Sequence, residues 1–236
     1  MINLSSYKNI HRIVGVLAAV ALPIVILFLV TWLVSFNQSF YIKEYVKYNV
    51  GENVNLNKNE LVLVTNKVLN YLGGISNNLD FKIKSTDKRD FFSDRDKQHM
   101  IDVRNIFDTL RNAGMLAVII LSICIVVMIR RHYLRLEMQK FLRLGAIIGI
   151  LPFIIIGVAM MINFEWCFIT FHKLLFTNDL WLLDPAVDNL VNIFPEQFFT
   201  DMAWRICTAY IVAQLALILL SFTGTKSIKR RTENAN

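Results

Sequence analysis

The chain has 236 residues, of which 55% are hydrophobic, and its mean hydropathy of +0.47 is too high for an ordinary soluble domain. The net charge of +7 does not indicate a nucleic-acid partner, because the basic residues lie in segments between apolar runs and no DNA- or RNA-binding motif is present. The three cysteines have no spacing typical of a disulfide framework or a zinc site, so we expect them to be reduced and structural.

Four apolar runs are long enough, at about 17–25 residues, to cross the hydrocarbon core of a bilayer as helices. They predict membrane-spanning helices at 13–36, 113–129, 144–162 and 203–223. The first run follows two basic residues, as a secretory signal does, but it exceeds the apolar region of about 7–15 residues that a signal has. We therefore expect an uncleaved first span and an all-α membrane protein.

The basic residues also predict the orientation of the chain. The short segments 1–12, 130–143 and 224–236 are rich in basic residues, whereas 163–202 has one lysine against six acidic residues. The segment 37–112 also has many lysines, but it is too long for the positive-inside rule to apply and is outside by parity. The positive-inside rule then places both termini in the cytoplasm and the segments 37–112 and 163–202 outside, with membrane lipids as the surroundings. All four tryptophans fall at or near the predicted outer interface, which agrees with this orientation.

The first predicted outer segment, 37–112, is long enough to form a small and mostly helical cap. Apolar residues recur at helical spacing over 57–72. Asn57 and Glu60 can form a capping box at the start of this helix, and Gly73-Gly74 can end it.

The remainder of that segment predicts one strand and one more helix. Phe81-Lys82-Ile83-Lys84 alternates as a short strand does. The next helix is expected to begin at Ser93, with Asp96 completing a second capping box. This helix either runs on into the second span or breaks at Asn112-Ala113-Gly114.

The second outer segment, 163–202, is short and rich in aromatic residues. Such a segment can be an interfacial helix seated among the lipid headgroups, or it can line a groove for an acyl chain. Gly145 and Gly149 in the third span form a small-xxx-small pattern, which indicates close packing of helices.

Each outer segment contributes one histidine, His99 and His172, and we expect the two to lie close together. Two imidazoles at a bilayer surface are suited to proton transfer. Asp102 lies three residues after His99, where its carboxylate could fix the tautomer of the ring. A packing role for His99 and an interfacial role for His172 remain open at this point. His11 and His132 lie among cytoplasmic basic residues and are set aside.

Two other functional classes also remain open. A metal-dependent membrane hydrolase or peptidase could use the two histidines with Asp179 or Asp184, although no HExxH spacing is present. A non-catalytic membrane sensor could bind a ligand in the cap. The chain has no G-x-S-x-G motif and no nucleotide-binding loop.

Two stretches of the chain resemble the signatures of the lipoprotein intramolecular transacylase family, Lit. The first reads Ser93-Asp94-Arg95-Asp96-x-x-His99-Met100-x-Asp102-Val103-Arg104. The second reads Phe171-His172 to Asn178-Asp179-x-Trp181-x-x-Asp184-Pro185, followed by Pro195-Glu196-x-Phe198-Phe199. The resemblance covers nearly the whole chain. It departs at Asp96, where glutamate is usual, and at Arg104, where lysine is usual, and both changes keep the charge.

This resemblance implies a bacterial enzyme of the cell membrane that acts at the outer leaflet on diacylglyceryl lipoproteins. It implies transfer of the sn-2 acyl chain from glycerol oxygen to the α-amine of the N-terminal cysteine, which gives a lyso-form lipoprotein. No metal or cofactor is implied. The catalytic residues would be His99 and His172, and the supporting residues would be Asp102, Arg95, Asn178, Asp179, Trp181 and Asp184.

The proton chemistry fits two histidines. An α-ammonium has a pKa of about 7.7–8.0, close enough to the roughly 6.5 of histidine for an imidazole to accept its proton without unusual tuning. Arg95, Asn178 and Trp181 are candidates for stabilising the oxyanion that the attack creates.

Overall fold

The computed structural model describes residues 4–83, 90–130 and 135–233. Within these ranges the secondary structure is helical, which confirms the all-α prediction. The helices are α1 (Leu4–Ser35), α2 (Gln38–Lys47), α3 (Val50–Asn53), α4 (Lys58–Leu72), α5 (Asp94–Arg130), α6 (Arg135–Ile162), α7 (Phe164–Leu175), α8 (Asn189–Ile193) and α9 (Glu196–Glu233).

Four of these helices are long and apolar enough to cross a membrane. The candidate spans are Ile10–Ser35, Asp94–Arg130, Gln139–Ile162 and Glu196–Phe222. Between 22% and 28% of the most apolar stretch of each is buried inside the protein, so most of its apolar side chains face outward. Such a surface is stable in lipid and not in water. The protein is therefore membrane-integral.

The chain divides into two compact units. The first, here called the membrane unit, comprises residues 1–31, 111–158 and 206–236. The second, here called the histidine unit, comprises residues 32–110 and 159–205. Each is described by itself below.

Close backbone contact holds the membrane unit together. Pro23 inside α1 has no N–H, so the carbonyl of Ala19 lacks its usual helical donor. Gly145 of α6 packs against that carbonyl, and a Cβ added at Gly145 would lie 2.4 Å from the Ala19 oxygen. A Cβ at Gly149 would lie 2.7 Å from the hydroxyl of Tyr210. The prediction of close packing at the two glycines is thus confirmed.

The histidine unit has an aromatic-rich core of the kind found in soluble domains. Most of its buried residues come from α2, α4, α8 and the first turn of α9, together with Phe91 and Phe92 ahead of α5. The predicted capping box at α4 is present, since the Asn57 side chain accepts from the N–H of Glu60 and the Glu60 side chain accepts from the N–H of Asn57. The helix ends at Leu72, before Gly73.

The prediction of a strand at 81–84 is wrong for the part that the structure describes, and Lys84 lies outside the described residues. Among the described residues no strand is formed at 81–83, and the N–H of Phe91 donates to the carbonyl of Phe81. The apolar alternation instead reflects burial, because Ile83 is buried in the core while Lys82 is exposed.

Helix α5 runs from Asp94 to Arg130 without a break, which decides between the two possibilities left open by the sequence. Its first turn has the predicted capping box: the Ser93 hydroxyl accepts from the N–H of Asp96, and the Asp96 carboxylate accepts from the N–H of Ser93. The polar first half of α5 precedes the apolar run 113–129, and it carries His99 in its second turn.

Candidate active site

The structure brings together the two histidines that the sequence singled out. The ring centroids of His99 in α5 and His172 in α7 are 6.2 Å apart, and the ring planes are inclined by 32°. His99 is 7% exposed and His172 is 9% exposed. Helix α7 begins at Phe164 because the Asn163 side chain accepts from the N–H of Trp166, and this start places His172 in its last turn.

Aromatic rings surround His172. The rings of Phe168, Phe171 and Phe176 lie with centroids 4.1, 5.5 and 5.6 Å from it. The indole of Trp181 stacks on it at 4.9 Å with an inclination of 31°. Phe176 also meets His99 edge-on at 5.2 Å, so one phenylalanine contacts both histidines. The two imidazoles therefore sit in an apolar setting that excludes most water.

The tautomer of His172 follows from its hydrogen bond. The Nδ1 atom lies 2.7 Å from the backbone carbonyl of Phe168, one turn earlier in α7. A carbonyl oxygen can only accept, so Nδ1–H is the donor. In the neutral ring the other nitrogen, Nε2, then carries the lone pair and can accept a proton.

His99 is held differently. Its Nδ1 atom is buried and has no hydrogen-bond partner among the residues that the structure describes. Asp102, which the sequence suggested as the group that fixes the tautomer of His99, instead accepts a hydrogen bond of 2.9 Å from the side-chain amide of Asn178.

Burial lowers the pKa of both imidazoles. The pKa of His99 falls from its ordinary 6.5 to about 4, first because the ring is removed from water and then because His172 is close, while the charge of Asp102 opposes the fall. Burial also lowers the pKa of His172, and the bond to the Phe168 carbonyl opposes this. Both rings are therefore neutral at pH 7. The expectation that the site needs no unusual tuning is wrong, because at least His99 is a much weaker base than free histidine.

The other residues singled out lie in the loop after α7 or, as Arg95 of α5 does, contact that loop. Arg95 donates to the backbone carbonyl of Asp179, and the Asp179 side chain is exposed. Asp184 is exposed and accepts from the N–H of Ala186, which stabilises its own turn. Asn178 accepts from the N–H of Leu180 through its side-chain oxygen. Arg95, Asn178, Asp179 and Asp184 thus shape or anchor the loop that carries Trp181 to His172.

Sequence reasoning missed the role of Asp96. This carboxylate is fully buried, and besides Ser93 it accepts from the backbone N–H groups of Asn189 and Leu190 at the start of α8, at 3.0 and 3.3 Å. Ser93 also donates from its hydroxyl to Asp188, at 2.6 Å. Burial raises the pKa of Asp96 to about 6, opposed by the backbone donors. The capping box accounts for an aspartate at this position by local contacts alone. It therefore gave no indication of the contact between Asp96 and α8.

No group of three His, Cys, Asp or Glu side chains in the described ranges is arranged to hold a metal ion. Cys124 and Cys207 are free and buried, and Cys167 is free and half-buried.

The family model of the lipoprotein intramolecular transacylase Lit matches residues 16–199, a stretch that includes both histidines. The chain belongs to the Lit family. Membership makes it an acyl-transferring enzyme, because the family is named for transacylase activity. No curated protein sequence matches the chain.

Solved structures of one Lit protein share this fold. The membrane-integral lipoprotein intramolecular transacylase Lit from Bacillus cereus superposes with a TM-score of 0.79 at 23% identity, covering 96% of this chain and 99% of that one. Two variants of the same protein, in which one histidine is replaced by arginine or by alanine, also give TM-scores of 0.79, at 24% identity and 97% coverage of this chain. At this level of identity the likeness establishes the fold alone.

Proposed function

We propose that this Lit-family protein moves the sn-2 acyl chain of a diacylglyceryl lipoprotein from its glycerol oxygen to the α-amine of its N-terminal cysteine, giving the lyso-form. The observation that carries the proposal is the pair of buried, neutral imidazoles 6.2 Å apart in a chain of a transacylase family. The reaction forms one N–C bond, breaks one O–C bond and moves one proton from nitrogen to oxygen. Two imidazoles are suited to these proton movements.

His172 is the proposed proton acceptor. Its Nδ1–H is bound to the Phe168 carbonyl, so Nε2 is the nitrogen with a free lone pair. As the amine attacks the ester carbonyl, Nε2 takes a proton from the nitrogen. The same proton returns to the sn-2 oxygen as the C–O bond breaks, so His172 ends the cycle in its starting form.

His99 is the proposed hydrogen-bond donor to the oxyanion. With its pKa lowered to about 4, the ring stays neutral and keeps one N–H through the reaction. A neutral imidazole donor in a site with little water stabilises a developing oxyanion without itself losing a proton. Phe176 contacts both rings and keeps water away from the space beside them.

No covalent enzyme intermediate is required. The acyl donor and the amine belong to one molecule, so much of the entropic barrier is already met when the substrate binds. The protein has to fold the lipid so that the amine reaches the ester carbonyl. The aromatic rings around His172 give an apolar surface against which an acyl chain can lie.

The proposal includes an orientation. We infer a bacterial cell membrane, both termini in the cytoplasm and the histidines at the outer leaflet, supported by the distribution of basic residues. Diacylglyceryl lipoproteins are anchored at that leaflet by the lipid that the reaction rearranges.

Mass spectrometry of a synthetic diacylglyceryl lipopeptide, incubated with the purified protein in detergent, tests the proposal. We expect an unchanged intact mass and fragments that show one acyl chain on the cysteine nitrogen. A loss of fatty acid or a cut peptide would indicate a hydrolase, and a gain of one acyl group would indicate a phospholipid donor. An unchanged fragment pattern would exclude catalysis on this substrate. A parallel reaction with a chelator tests whether the activity requires a metal ion.

A further inference from the structure

The pair formed by Asp102 and Asn178 has the chemistry of a cation-binding site. Asp102 lies one turn after His99 in α5, and one of its oxygens accepts from the Asn178 amide at 2.9 Å. Asn178 is itself fixed, because its side-chain oxygen accepts from the N–H of Leu180 at 3.0 Å and its NH₂ group must therefore face Asp102. The loop thus holds the carboxylate in one position beside the histidines.

Three of the neighbouring carboxylates are engaged in the structure of the loop and the helix start. Asp96 is buried against the backbone of α8, and Asp188 accepts from Ser93 and from the N–H of Asp184. Asp184 closes its own turn at the N–H of Ala186. Asp102 differs, because it is only partly buried and none of its described hydrogen bonds is to the backbone.

The substrate brings a charge that needs such a group. An α-ammonium has a pKa of about 7.7–8.0, so at neutral pH most of it arrives protonated. Both imidazoles are neutral and the rings around them are apolar, so they offer a cation no countercharge. An ammonium brought into this setting without an anion would bear a large desolvation cost.

We propose that Asp102, positioned by Asn178, binds the α-ammonium of the N-terminal cysteine and holds its nitrogen beside the two histidines. This inference rests on the proposed function, because it assumes a lipopeptide with a free amine. An ammonium has three N–H donors, so one can bind Asp102 in a charge-assisted bond while another faces an imidazole. The bound ammonium releases one proton to solvent before the nitrogen attacks, and the second proton then passes through His172 to the sn-2 oxygen. Asp102 is then a residue for substrate recognition, and its role does not depend on a bond to His99.

The test compares two lipopeptides that differ only at the amine. One is a synthetic diacylglyceryl-cysteinyl peptide with a free α-amine, and the other is its desamino analogue, in which hydrogen replaces the amine. Their dissociation constants are measured on the full-length protein in detergent, for the wild type and for Asp102→Asn. We expect Asp102→Asn to weaken binding of the amine-bearing lipopeptide by about 10-fold or more, the usual scale of a charge-assisted hydrogen bond, and to leave the desamino analogue unchanged.

Two further variants separate recognition from structure. Asp94→Asn removes an exposed carboxylate at the start of the same helix, and we expect it to bind both lipopeptides as the wild type does. Asn178→Ala keeps the charge of Asp102 and removes its positioning, so the amine-bearing lipopeptide should bind several-fold more weakly. This second variant decides the case if Asp102→Asn does not purify.

Equal weakening of both lipopeptides, or no weakening of either, would overturn the inference. Its failure can be told apart from failure of the proposed function, because acyl transfer by the wild type is measured separately. A wild type that transfers the acyl chain without preferring the amine-bearing lipopeptide refutes the ammonium site alone. A wild type that prefers the amine and transfers nothing refutes the transacylase reaction alone.

Discussion

The membrane unit and the histidine unit are stabilised in different ways. In the membrane unit the informative contacts are close van der Waals contacts at glycines: Gly145 against the Ala19 carbonyl, Gly149 against Tyr210, and Gly114 against Phe28. In the histidine unit they are hydrogen bonds that a buried carboxylate, Asp96, accepts and one that a buried imidazole, His172, donates.

The solvent of each unit explains this difference. Lipid is as apolar as the side chains, so helices in a membrane associate through close packing of small residues. The histidine unit has a core that draws on the hydrophobic effect, and it can use that stability to bury polar groups such as the hydrogen-bonded carboxylate of Asp96. Polar groups buried in this way can be placed with the precision that chemistry requires, which is why the site lies in this unit.

The largest effect on activity is expected from removing either imidazole of the histidine unit. We expect His172→Ala to reduce acyl transfer by about 10²–10⁴-fold, the usual contribution of a positioned proton-transfer group. We expect His99→Ala to reduce it by about 10²–10³-fold, the usual contribution of an oxyanion donor, while both variants still insert and purify. The measurement is the lipopeptide assay together with thermal unfolding of each variant. His11→Ala, a change in the membrane unit, is the matched control and should keep wild-type activity. Near-normal turnover by either site variant would refute its catalytic role.

The next largest effect is expected on stability. Asp96→Ala leaves the backbone N–H groups of Ser93, Asn189 and Leu190 without their acceptor. Each buried donor without a partner costs about 1–3 kcal/mol, so the histidine unit should lose several kcal/mol. Thermal unfolding measures this loss, and exposed Asp94→Ala is the control. An equal loss in both variants would mean that the junction between α5 and α8 contributes little.

Adding a methyl group at a closely packed glycine should lower the stability of the membrane unit. Gly145→Ala places a Cβ 2.4 Å from the Ala19 carbonyl, which is backbone and must move, so we expect a loss of about 1–3 kcal/mol. Gly15→Ala meets only the ring of Phe141, which can rotate, and should cost less. The two variants are compared by thermal unfolding in detergent. The reverse order would show that backbone contact is not what holds this unit.

The smallest expected effect concerns the pKa values of the two imidazoles. In a ¹³C NMR titration of the imidazoles, His99 should titrate near pH 4 and His172 below 6.5. Since both folded pKa values are lowered, the neutral rings contribute stability that is fully present above pH 6.5 and is lost as the pH falls through the folded values. Trp181→Ala exposes His172, so its pKa should rise toward 6.5. A His172 pKa unaffected by this change would mean that the indole does not desolvate it.

The spans and the helical class could be predicted from the sequence, because a long apolar run has few stable alternatives in a bilayer. The two histidines could also be found, since each stands in a polar or aromatic segment next to a span. Their surroundings could not. The contact of Phe176 with both rings and the bond from His172 to the Phe168 carbonyl depend on the tertiary fold and on rotamers, which leave no periodic signal.

Asp102 and Asp96 show where local reasoning stops. The spacing of three residues between His99 and Asp102 suggested a hydrogen bond, yet the carboxylate binds Asn178, which is 76 residues away in the chain. The capping box at Asp96 was correctly predicted, but it accounted for only part of what that carboxylate binds. At Asp96 the local pattern was confirmed but incomplete, and at Asp102 the hydrogen-bond partner is distant in the chain.

The bond between Asp96 and α8 also bears on how the protein is made. Asp96 is separated by 93 and 94 residues from the backbone groups of Asn189 and Leu190 that it accepts from. During synthesis of the chain, α5 is made long before those donors exist. Until then the Asp96 carboxylate can accept only from the backbone of Ser93. We therefore expect the site to be completed only once the chain has passed Leu190, and a nascent chain stopped before that point to have no competent active site.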